Sequence, residues 1–370
     1  MDIVRTALIG FGGMGKQYAE MLYHREIDGM QLVGICCRNA IGQATIRNEY
    51  PDVRIYEDSD QLFANATDYD ALVIVTPHTT HVTLGKQAAR LGKHILIDKP
   101  VGINTQEIKE LLEITRENHI RFGVIFNMRA YPAYQKARKL LLQNTLGPLN
   151  RILWTCNNWY RSPAYHQSSA WRSSWRGEGG GLLINQCQHY FDMWQWLFGM
   201  PDSLFASIDY GKYNSFQVDD AADIQMYYRN GAHGTFITSS GESPGVNRLE
   251  IWGTNGKLSI ENNQEVTLEQ NIVDTVTFGR SNTDMYAMPE YTHRELPVEH
   301  DFSNSYQIIF NNFSSHLRMG TPLWEPGVDG LKSVMLANGA YLSSWTNKEV
   351  YLPFDDALYT ALLREKGDSE

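Results

Sequence analysis

Residues 4–15 of this 370-residue chain read VRTALIGFGGMG, an apolar run that ends in Gly10, Phe11, Gly12, Gly13, Met14 and Gly15. The run predicts a buried strand, and the residues after it have helical spacing. Glycines allow a tight turn between the two elements and let the backbone approach a pyrophosphate, which the free N–H groups of a helix N-terminus bind. G-x-G-x-x-G by itself is a weak signal, but in this strand–turn–helix context it predicts a dinucleotide site rather than a merely structural turn.

Short strands and helices continue to alternate after this turn. Further strands are predicted at 31–36, 71–76, 94–98 and 122–126, after the first at 3–10, and helices at 14–25, 81–91 and 105–118. Strands joined by helices imply right-handed parallel crossovers. The sequence therefore predicts an α/β fold whose residues 1–126 form a Rossmann domain, a doubly wound parallel sheet that binds a dinucleotide.

The composition changes in the rest of the chain, where all nine tryptophans lie at or after Trp154. Helices are predicted at 132–143, 179–199, 303–318 and 328–346, and a long strand at 149–160. Asn230-Gly231 and Asn255-Gly256 interrupt alternating runs, which is the strongest short signal for a hairpin. Since the length allows two cores, residues 127–370 are predicted to form an α+β domain with a large, open, mostly antiparallel sheet.

Composition and charge exclude several classes of protein. The net charge is −10 without a long basic run, which argues against nucleic acid and anionic membranes as partners. No apolar run approaches the ~20 residues of a membrane span, and the N-terminus lacks a signal-peptide layout. The four cysteines form no Cys-x-x-Cys pair, so we expect reduced thiols and a cytoplasmic protein.

The predicted helix at 179–199, GGGLLINQCQHYFDMWQWLFG, has an unusual polar side. At about 100° per residue, Asn185, His189 and Asp192 lie close together on it, without any lysine, glutamate or arginine. A helix side that faces water normally carries such charges. The stripe is therefore predicted to face a buried site, except that Asp192 is expected to bond the backbone or an arginine.

The end of the second strand bears on the choice of cofactor. An acid that holds the ribose 2′-hydroxyl is usual about 20 residues after the glycines, but here the sequence is Cys36-Cys37-Arg38-Asn39. Arg38 could bind a 2′-phosphate, stack on adenine or simply be solvated. The sequence favours NADP over NAD without excluding NAD.

Three further stretches carry a resemblance to a known family. They are Thr76-Pro77-His78-Thr79-Thr80-His81, then Asp98-Lys99-Pro100, and the glycine triplet 179–181 followed by Asn185 and His189. The chain resembles the Gfo/Idh/MocA oxidoreductases, which have Glu-Lys-Pro after a strand and an Asp followed four residues later by His. The tail at 327–354 also looks like the C-terminal helix and last strand of that family. This chain has Asp98 where the family has Glu, which has a longer side chain. It has Asn185 where relatives usually have Asp.

The resemblance implies a Rossmann domain, an open-sheet substrate domain and a dimer or larger assembly. It also implies that the polar stripe faces the nicotinamide and the substrate. Lys99 would then stabilise an alkoxide, and His189 would accept the hydroxyl proton during oxidation or donate it during reduction. Asn185 is a neutral amide that cannot act as a base, so it is expected only to orient the substrate.

The predicted site residues form two overlapping groups, with Lys99 and His189 as the catalytic pair. Cofactor contacts are expected from Gly10, Phe11, Gly12, Gly13, Met14, Gly15, Arg38, Thr76, Pro77, His78, His81, Asp98, Lys99, Asn127, Trp171 and Arg172. Substrate contacts are expected from Lys99, Arg129, Tyr160, Arg172, Asn185 and His189. No metal site is predicted, because no thiolate or carboxylate completes a ligand set with His78 and His81.

The sequence thus predicts an NAD(P)-dependent oxidoreductase that moves a hydride between the nicotinamide and a ring carbon of a sugar, glycoside or cyclic polyol. The 3-position of a glycoside is the first candidate, because the aromatic loop at 157–181 could accept an aglycone. Two alternatives stay open at this stage. An NAD-dependent glycosidase of the same fold would release sugar without net redox, and a non-catalytic sugar or cofactor sensor would not need Lys99 and His189.

Overall fold

Six parallel strands form the first sheet of the computed structural model, which describes residues 2–299 and 301–370. The strands are β1 (Val4–Ile9), β2 (Met30–Cys36), β3 (Arg54–Tyr56), β4 (Ala71–Ile74), β5 (His94–Asp98) and β6 (Phe122–Ile125). The helices between them are α1 (Gly13–Tyr23), α2 (Ala40–Glu49), α3 (Ser59–Ala64), α4 (His78–Arg90) and α5 (Thr105–Glu117). The spatial order β3-β2-β1-β4-β5-β6 reverses direction between β1 and β4. The predicted doubly wound sheet is confirmed, and such a switch point is where ligands bind at the carboxyl ends of the strands.

Nine strands form the second sheet. They are β7 (Leu149–Cys156), β8 (Ser203–Tyr210), β9 (Asp219–Tyr227), β10 (His233–Ser239), β11 (Asn247–Gly253), β12 (Gly256–Glu261), β13 (Glu265–Asn271), β14 (Tyr291–Leu296) and β15 (Val350–Tyr351). Their order is β14-β13-β12-β11-β7-β10-β9-β8-β15, and every neighbouring pair is antiparallel except β7 with β10. The predicted open, mostly antiparallel sheet and both Asn-Gly hairpins are confirmed. The strand expected at 149–160 is shorter, because it ends at Cys156.

The helices of the second part are α6 (Pro132–Leu142), α7 (Pro163–His166), α8 (Gln188–Phe198), α9 (Thr275–Ser281), α10 (Ser305–Met319), α11 (Gly327–Thr346) and α12 (Asp356–Asp368). Helix α8 packs on the second sheet, where Tyr190 and Trp194 contact Trp154 of β7. Helix α11 contacts both α8 and α5, so it lies between the two sheets. No helix in the described ranges combines the length and apolar character that crossing a bilayer requires.

The helix predicted over 179–199 is wrong in its first half, because α8 begins only at Gln188 and residues 182–187 form turns. The cause lies in β9, where the Asp219 carboxylate accepts hydrogen bonds from the N–H groups of Gly181 and Leu183, both at 2.7 Å. Gly179 and Gly180 have φ values of +84° and +141°, which a helix cannot contain. The side chain of Asp219 therefore replaces the helical carbonyls for Gly181 and Leu183, and its backbone carbonyl does so for Leu182.

The last third of the chain returns to the first sheet. Phe310 and Phe313 of α10 belong to the hydrophobic core that includes Leu8 and Ile125. The edge strand β6 is also covered, since the N–H of Val124 donates to the carbonyl of Glu325 at 2.9 Å. The boundary between residues 126 and 127 stays a prediction, and residues far beyond it complete the core of the first sheet.

Candidate active site

One cavity of about 990 Å³ lies at the carboxyl ends of the first sheet, between that sheet and the start of α8. All sixteen residues predicted to contact a cofactor line it, from Gly10 in the first turn to Arg172. Asn185 and His189, predicted to contact substrate, line the same cavity. The fold therefore brings together the glycine turn and the two catalytic candidates, which lie far apart in sequence.

Tyr160 does not lie on the cavity wall. Its side chain is 55% exposed, whereas its neighbours Trp159 and Arg161 line the cavity together with Tyr165. Consecutive side chains of a non-helical segment point in different directions. The structure thus places the neighbours of Tyr160 on the cavity wall rather than Tyr160 itself, and its contact with substrate stays a prediction.

Arg129 is also outside the cavity, contrary to its predicted role as a substrate contact. The side chain is 1% exposed and pairs with the carboxylates of Asp192 and Asp329. It follows β6 as predicted, but it points into the protein interior rather than into the cavity. The expectation that Asp192 would bond an arginine is confirmed by the same ion pair.

The glycines of the first turn have two different explanations. A Cβ at Gly10 would lie 2.4 Å from the carbonyl oxygen of Val75, and one at Gly15 would lie 2.0 Å from that of Gly10, so packing within the protein requires both glycines. A Cβ at Gly12 or Gly13 would meet no protein atom within 4 Å. Helix α1 begins at Gly13 without a side-chain cap and without an acid in its first turn. Open space and uncapped N–H groups at this point fit the pyrophosphate of a dinucleotide.

The second strand ends at the same cavity. Asn39 caps α2 by accepting a hydrogen bond from the N–H of Ile41 at 2.8 Å, so it is occupied by the protein itself. Arg38 is exposed, lines the cavity and forms no ion pair within the described ranges. Its guanidinium is thus available to contact a dinucleotide whose ribose would lie at the end of β2.

The turn after β4 is tied to the turn after β5 by a buried histidine. Nδ1 of His81 lies 2.7 Å from the carbonyl oxygen of Pro100, and Nε2 lies 2.6 Å from that of Thr76. His78 packs edge-on against Trp171 with ring centroids 5.2 Å apart. These contacts fix the part of the cavity wall that carries the side chain of Lys99.

Lys99 directly follows β5, and its side chain reaches the segment before α8. Its Nζ donates to the backbone carbonyl of Asn185 at 2.9 Å and to the side-chain Oδ1 of Asn185 at 3.3 Å. Burial lowers the pKa of Lys99, while the charges of Asp98 and Glu178 oppose that shift. Burial also raises the pKa of Asp98 to about 6. The ammonium is thus held in place by acceptors that do not use all of its donors.

His189 lies in the first turn of α8 and lines the cavity. Burial and the positive charge of Lys99 hold its pKa well below the usual value. Within the described part of the chain its buried Nδ1 has no hydrogen-bond partner. The imidazole is therefore neutral near pH 7 and can accept a proton.

Sequence reasoning missed Glu178, whose side chain is buried behind Asn185. Glu178 is 2% exposed, accepts a hydrogen bond from Nδ2 of Asn185 at 2.5 Å and accepts another from the N–H of Ser173 at 2.6 Å. Burial raises its pKa to about 7. The sequence feature that could have indicated Glu178 is an acid between glycines, in RGEGGG, directly before the polar stripe.

Aromatic rings and guanidinium groups alternate along the wall opposite the glycine turn. Arg161 lies over the rings of Trp159 and Tyr165, and Arg172 lies over those of Tyr165 and Trp171, at 4.5 to 5.5 Å. The hydroxyl oxygen of Tyr165 also accepts a hydrogen bond from Arg172 at 2.9 Å. Such a wall combines flat apolar surfaces with hydrogen-bond donors.

Comparison with known proteins identifies the family. Residues 4–126 match the family model described as "Oxidoreductase family, NAD-binding Rossmann fold", and residues 134–259 match the "GFO/IDH/MocA C-terminal domain". The chain belongs to the Gfo/Idh/MocA oxidoreductase family. The predicted resemblance, the enzyme class and an NAD-binding Rossmann domain are thereby confirmed, whereas a preference for NADP stays a prediction.

Relatives with curated names and solved structures cover nearly the whole chain. The inositol 2-dehydrogenase of Rhizobium meliloti (strain 1021) is 25% identical over 360 residues, which are 94% of this chain and 98% of that protein. The WlbA dehydrogenase from Bordetella pertussis, solved with NADH and UDP-GlcNAcA, has a TM-score of 0.79 and 22% identity, covering 95% of this chain and 100% of its own. A levoglucosan dehydrogenase, solved with NADH and levoglucosan, has a TM-score of 0.79 and 19% identity, covering 95% and 99%. At these identities the two structures show a shared fold.

Proposed function

We propose that this member of the Gfo/Idh/MocA family is an NAD(P)-dependent dehydrogenase acting on a ring hydroxyl of a sugar, glycoside or cyclic polyol. Carbon 3 of a glycoside is the first candidate position. One observation carries the proposal, namely that Lys99, His189 and the glycine turn line a single cavity of about 990 Å³. This volume is at the upper end of the roughly 300–1,000 Å³ range of ligand pockets.

The side chains of the chain supply the proton chemistry of such a reaction. When bound, the nicotinamide takes up or returns the hydride of the substrate C–H bond. During oxidation the hydroxyl proton passes to a ring nitrogen of His189, which is neutral because burial and Lys99 depress its pKa. The ammonium of Lys99 stabilises the oxygen as it gains negative charge. In the reverse direction His189 returns the proton to the carbonyl oxygen, while the ammonium of Lys99 stabilises the negative charge that develops there.

Three features support a closed, polyhydroxylated ring as substrate. The rings of Trp159, Tyr165 and Trp171 offer flat surfaces for the apolar side of a pyranose. Asn185 and His189 can engage neighbouring hydroxyl groups. The names of two relatives, an inositol 2-dehydrogenase and a levoglucosan dehydrogenase, also support cyclic substrates with several hydroxyl groups.

A substrate panel tests the proposal directly. Purified protein is incubated with sugars, glycosides and inositols together with NAD or NADP, and the reduced cofactor is followed by absorbance while products are identified by mass spectrometry. Glucosides deuterated at one ring carbon at a time then locate the hydride. Transfer of the 3-deuteron supports the first candidate, and transfer from another ring carbon corrects the position. Activity confined to linear hydroxy acids or free aldehydes would refute the proposal.

The same panel separates the two alternatives. Release of free sugar without net reduced cofactor would indicate a glycosidase. Binding without any turnover would indicate a sensor. We also infer a dimer or larger assembly, which light scattering of the purified protein tests.

A further inference from the structure

An acid lies beside Asn185, the position at which this chain lacks the Asp of the family motif. Glu178 precedes Asn185 by seven residues and contacts it through Oε1 and Nδ2, 2.5 Å apart. The other carboxylate oxygen of Glu178 accepts the N–H of Ser173 at 2.6 Å. Both oxygens therefore have donors, and the side chain is 2% exposed, so its position is set from two sides.

The contact with Glu178 determines which way the Asn185 amide faces. An ammonium has only donors, so Lys99 requires the oxygen of that amide, and Oδ1 lies 3.3 Å from its Nζ. The amide nitrogen must then face an acceptor on its other side. Glu178 is the nearer acceptor at 2.5 Å, and the hydroxyl oxygen of Tyr165 accepts from the same nitrogen at 3.3 Å. Hydrogen bonds therefore connect Lys99 through Asn185 to Glu178.

Glu178 also contributes charge to the neighbourhood of Lys99. The negative charges of Asp98 and Glu178 raise the pKa of Lys99 and the positive charge of Arg172 lowers it, against the larger effect of burial. Arg172 lies 3.9 Å from Glu178 and is its nearest ion-pair partner. Without Glu178, Asp98 would be the one carboxylate among the described residues that opposes the lowering of the Lys99 pKa by burial and by Arg172.

We propose that Glu178 is a positioning residue that replaces the acid missing from position 185. Acting through Asn185, it turns the amide oxygen towards Lys99 and keeps the ammonium protonated next to the reacting hydroxyl. This inference rests on the proposed function for the role of Lys99. The link between Glu178 and Lys99 itself follows from the hydrogen bonds.

An exchange of acid and amide between the two positions tests the inference. In the double variant Glu178→Gln/Asn185→Asp, the Gln oxygen can accept from Ser173, its nitrogen can donate to the new Asp, and the new carboxylate faces Lys99. Every hydrogen bond keeps a donor and an acceptor. In Glu178→Gln alone, by contrast, one amide oxygen replaces two carboxylate oxygens. Either Ser173 or Asn185 then loses its acceptor, or Asn185 turns its nitrogen towards Lys99.

Two readouts are used, of which only one needs a substrate. The first is kcat and KM on the best substrate of the panel. The second is the pKa of Lys99, measured by competitive labelling with acetic anhydride over a pH series and mass spectrometry of its peptide. The groups acting on that lysine are Asp98, Glu178, Arg172, Cys187, His78, His81 and His189. Glu113→Gln, which removes a largely exposed acid, is the matched control.

We expect Glu178→Gln to lower kcat by about 10- to 100-fold, less than loss of a direct proton-transfer group, with little change in KM. The pKa of Lys99 should fall measurably in this variant, and the double variant should recover most of both losses. Glu113→Gln should change neither quantity.

Two outcomes would overturn the inference. One is a Lys99 pKa that is the same in the unaltered protein and in Glu178→Gln. The other is a double variant that stays as impaired as the single one while it folds with an unchanged near-ultraviolet circular dichroism spectrum. If the unaltered protein acts on no ring hydroxyl but the Lys99 pKa shifts and recovers as expected, the proposed function fails and the coupling of Glu178 to Lys99 stands.

Discussion

Arg129 and Asp192 form a two-point ion pair between the segment after β6 and helix α8. Nε of Arg129 lies 2.8 Å from Oδ2 of Asp192, and Nη2 lies 2.5 Å from Oδ1, with both side chains 1% exposed. The same Nη2 contacts Asp329 at 2.8 Å. This pair holds the helix that carries His189 against the segment that carries Asn127, so it supports the cavity without lining it.

Replacing Arg129 by methionine should destabilise the protein strongly. The change leaves Asp192 buried without its cation, and breaking a buried pair in this way costs about 3–5 kcal/mol of unfolding free energy. Urea unfolding followed by tryptophan fluorescence measures the loss. Arg229→Met is the control, because Arg229 is 90% exposed in its pair with Asp202 and such pairs contribute about 0–1 kcal/mol. Equal stability of the two variants would contradict the structural role.

Alanine at Gly12 should impair cofactor binding, whereas alanine at Gly15 should impair stability. A Cβ at Gly12 meets no protein atom within 4 Å, so Gly12→Ala should fold normally but weaken cofactor binding, because the methyl group occupies the approach to the pyrophosphate. A Cβ at Gly15 lies 2.0 Å from the Gly10 oxygen, so Gly15→Ala should lower the melting temperature. Thermal unfolding and fluorescence titration with NADH distinguish the two. A Gly12→Ala variant that binds NADH normally would place the pyrophosphate elsewhere.

Replacement of Lys99 or His189 by alanine should reduce turnover while cofactor still binds. Each side chain handles the hydroxyl proton or its charge, and loss of such a group costs roughly two to four decades in rate. Single-turnover kinetics give the chemical rate, and NADH titration gives the cofactor affinity. Near-normal turnover in either variant would remove that residue from the mechanism.

The pH dependence of kcat should show an acidic limb near pH 7 that belongs to Glu178. Burial raises the pKa of this carboxyl to about 7, so the carboxylate that positions Asn185 is present above that pH and is lost below it. The charged groups that act on it are Arg172 and Lys99, and the N–H of Ser173 and the side chain of Asn185 donate hydrogen bonds to it. The pKa of His189 lies well below neutrality and cannot produce this limb.

Glu178→Gln should therefore remove the limb near pH 7. A second ionisation near pH 6 should persist, because burial raises the pKa of Asp98 to about 6. A pH profile that is the same in both proteins would show that the limb has another origin.

Arg38 should set the preference between the two nicotinamide cofactors. It lines the cavity where an acid would otherwise hold the ribose 2′-hydroxyl, and a guanidinium suits a 2′-phosphate. Fluorescence titration with NADH and NADPH should show that Arg38→Ala loses affinity mainly for NADPH. Unchanged relative affinities would exclude Arg38 from the choice, and a strong preference of the unaltered protein for NAD would show that the lean to NADP is wrong.

Local sequence patterns predicted five of the six strands of the first sheet and the glycine turn, and short motifs that resemble the family indicated the main catalytic candidates. Strand β4 and the last three residues of β1 are buried on both faces and are therefore continuously apolar, which makes them recognisable without any knowledge of the fold. The glycine spacing and the Lys99 and His189 motifs are likewise short and local. The edge strand β3 was not predicted, because its three residues carry too little pattern.

Tertiary contacts decided the features that local patterns could not predict. Asp219, far along the chain, satisfies the backbone of residues 181–183 and delays the start of α8 to Gln188. Arg129 is drawn inwards by carboxylates from two other helices, and Tyr160 points outwards where its neighbours do not. Glu178 is connected to Lys99 through Asn185 only because the fold places the segment before α8 beside the residue that follows β5. For Asp219, Arg129 and Glu178, a buried polar group requires a partner, and the fold alone determines which distant residue is close enough to provide it.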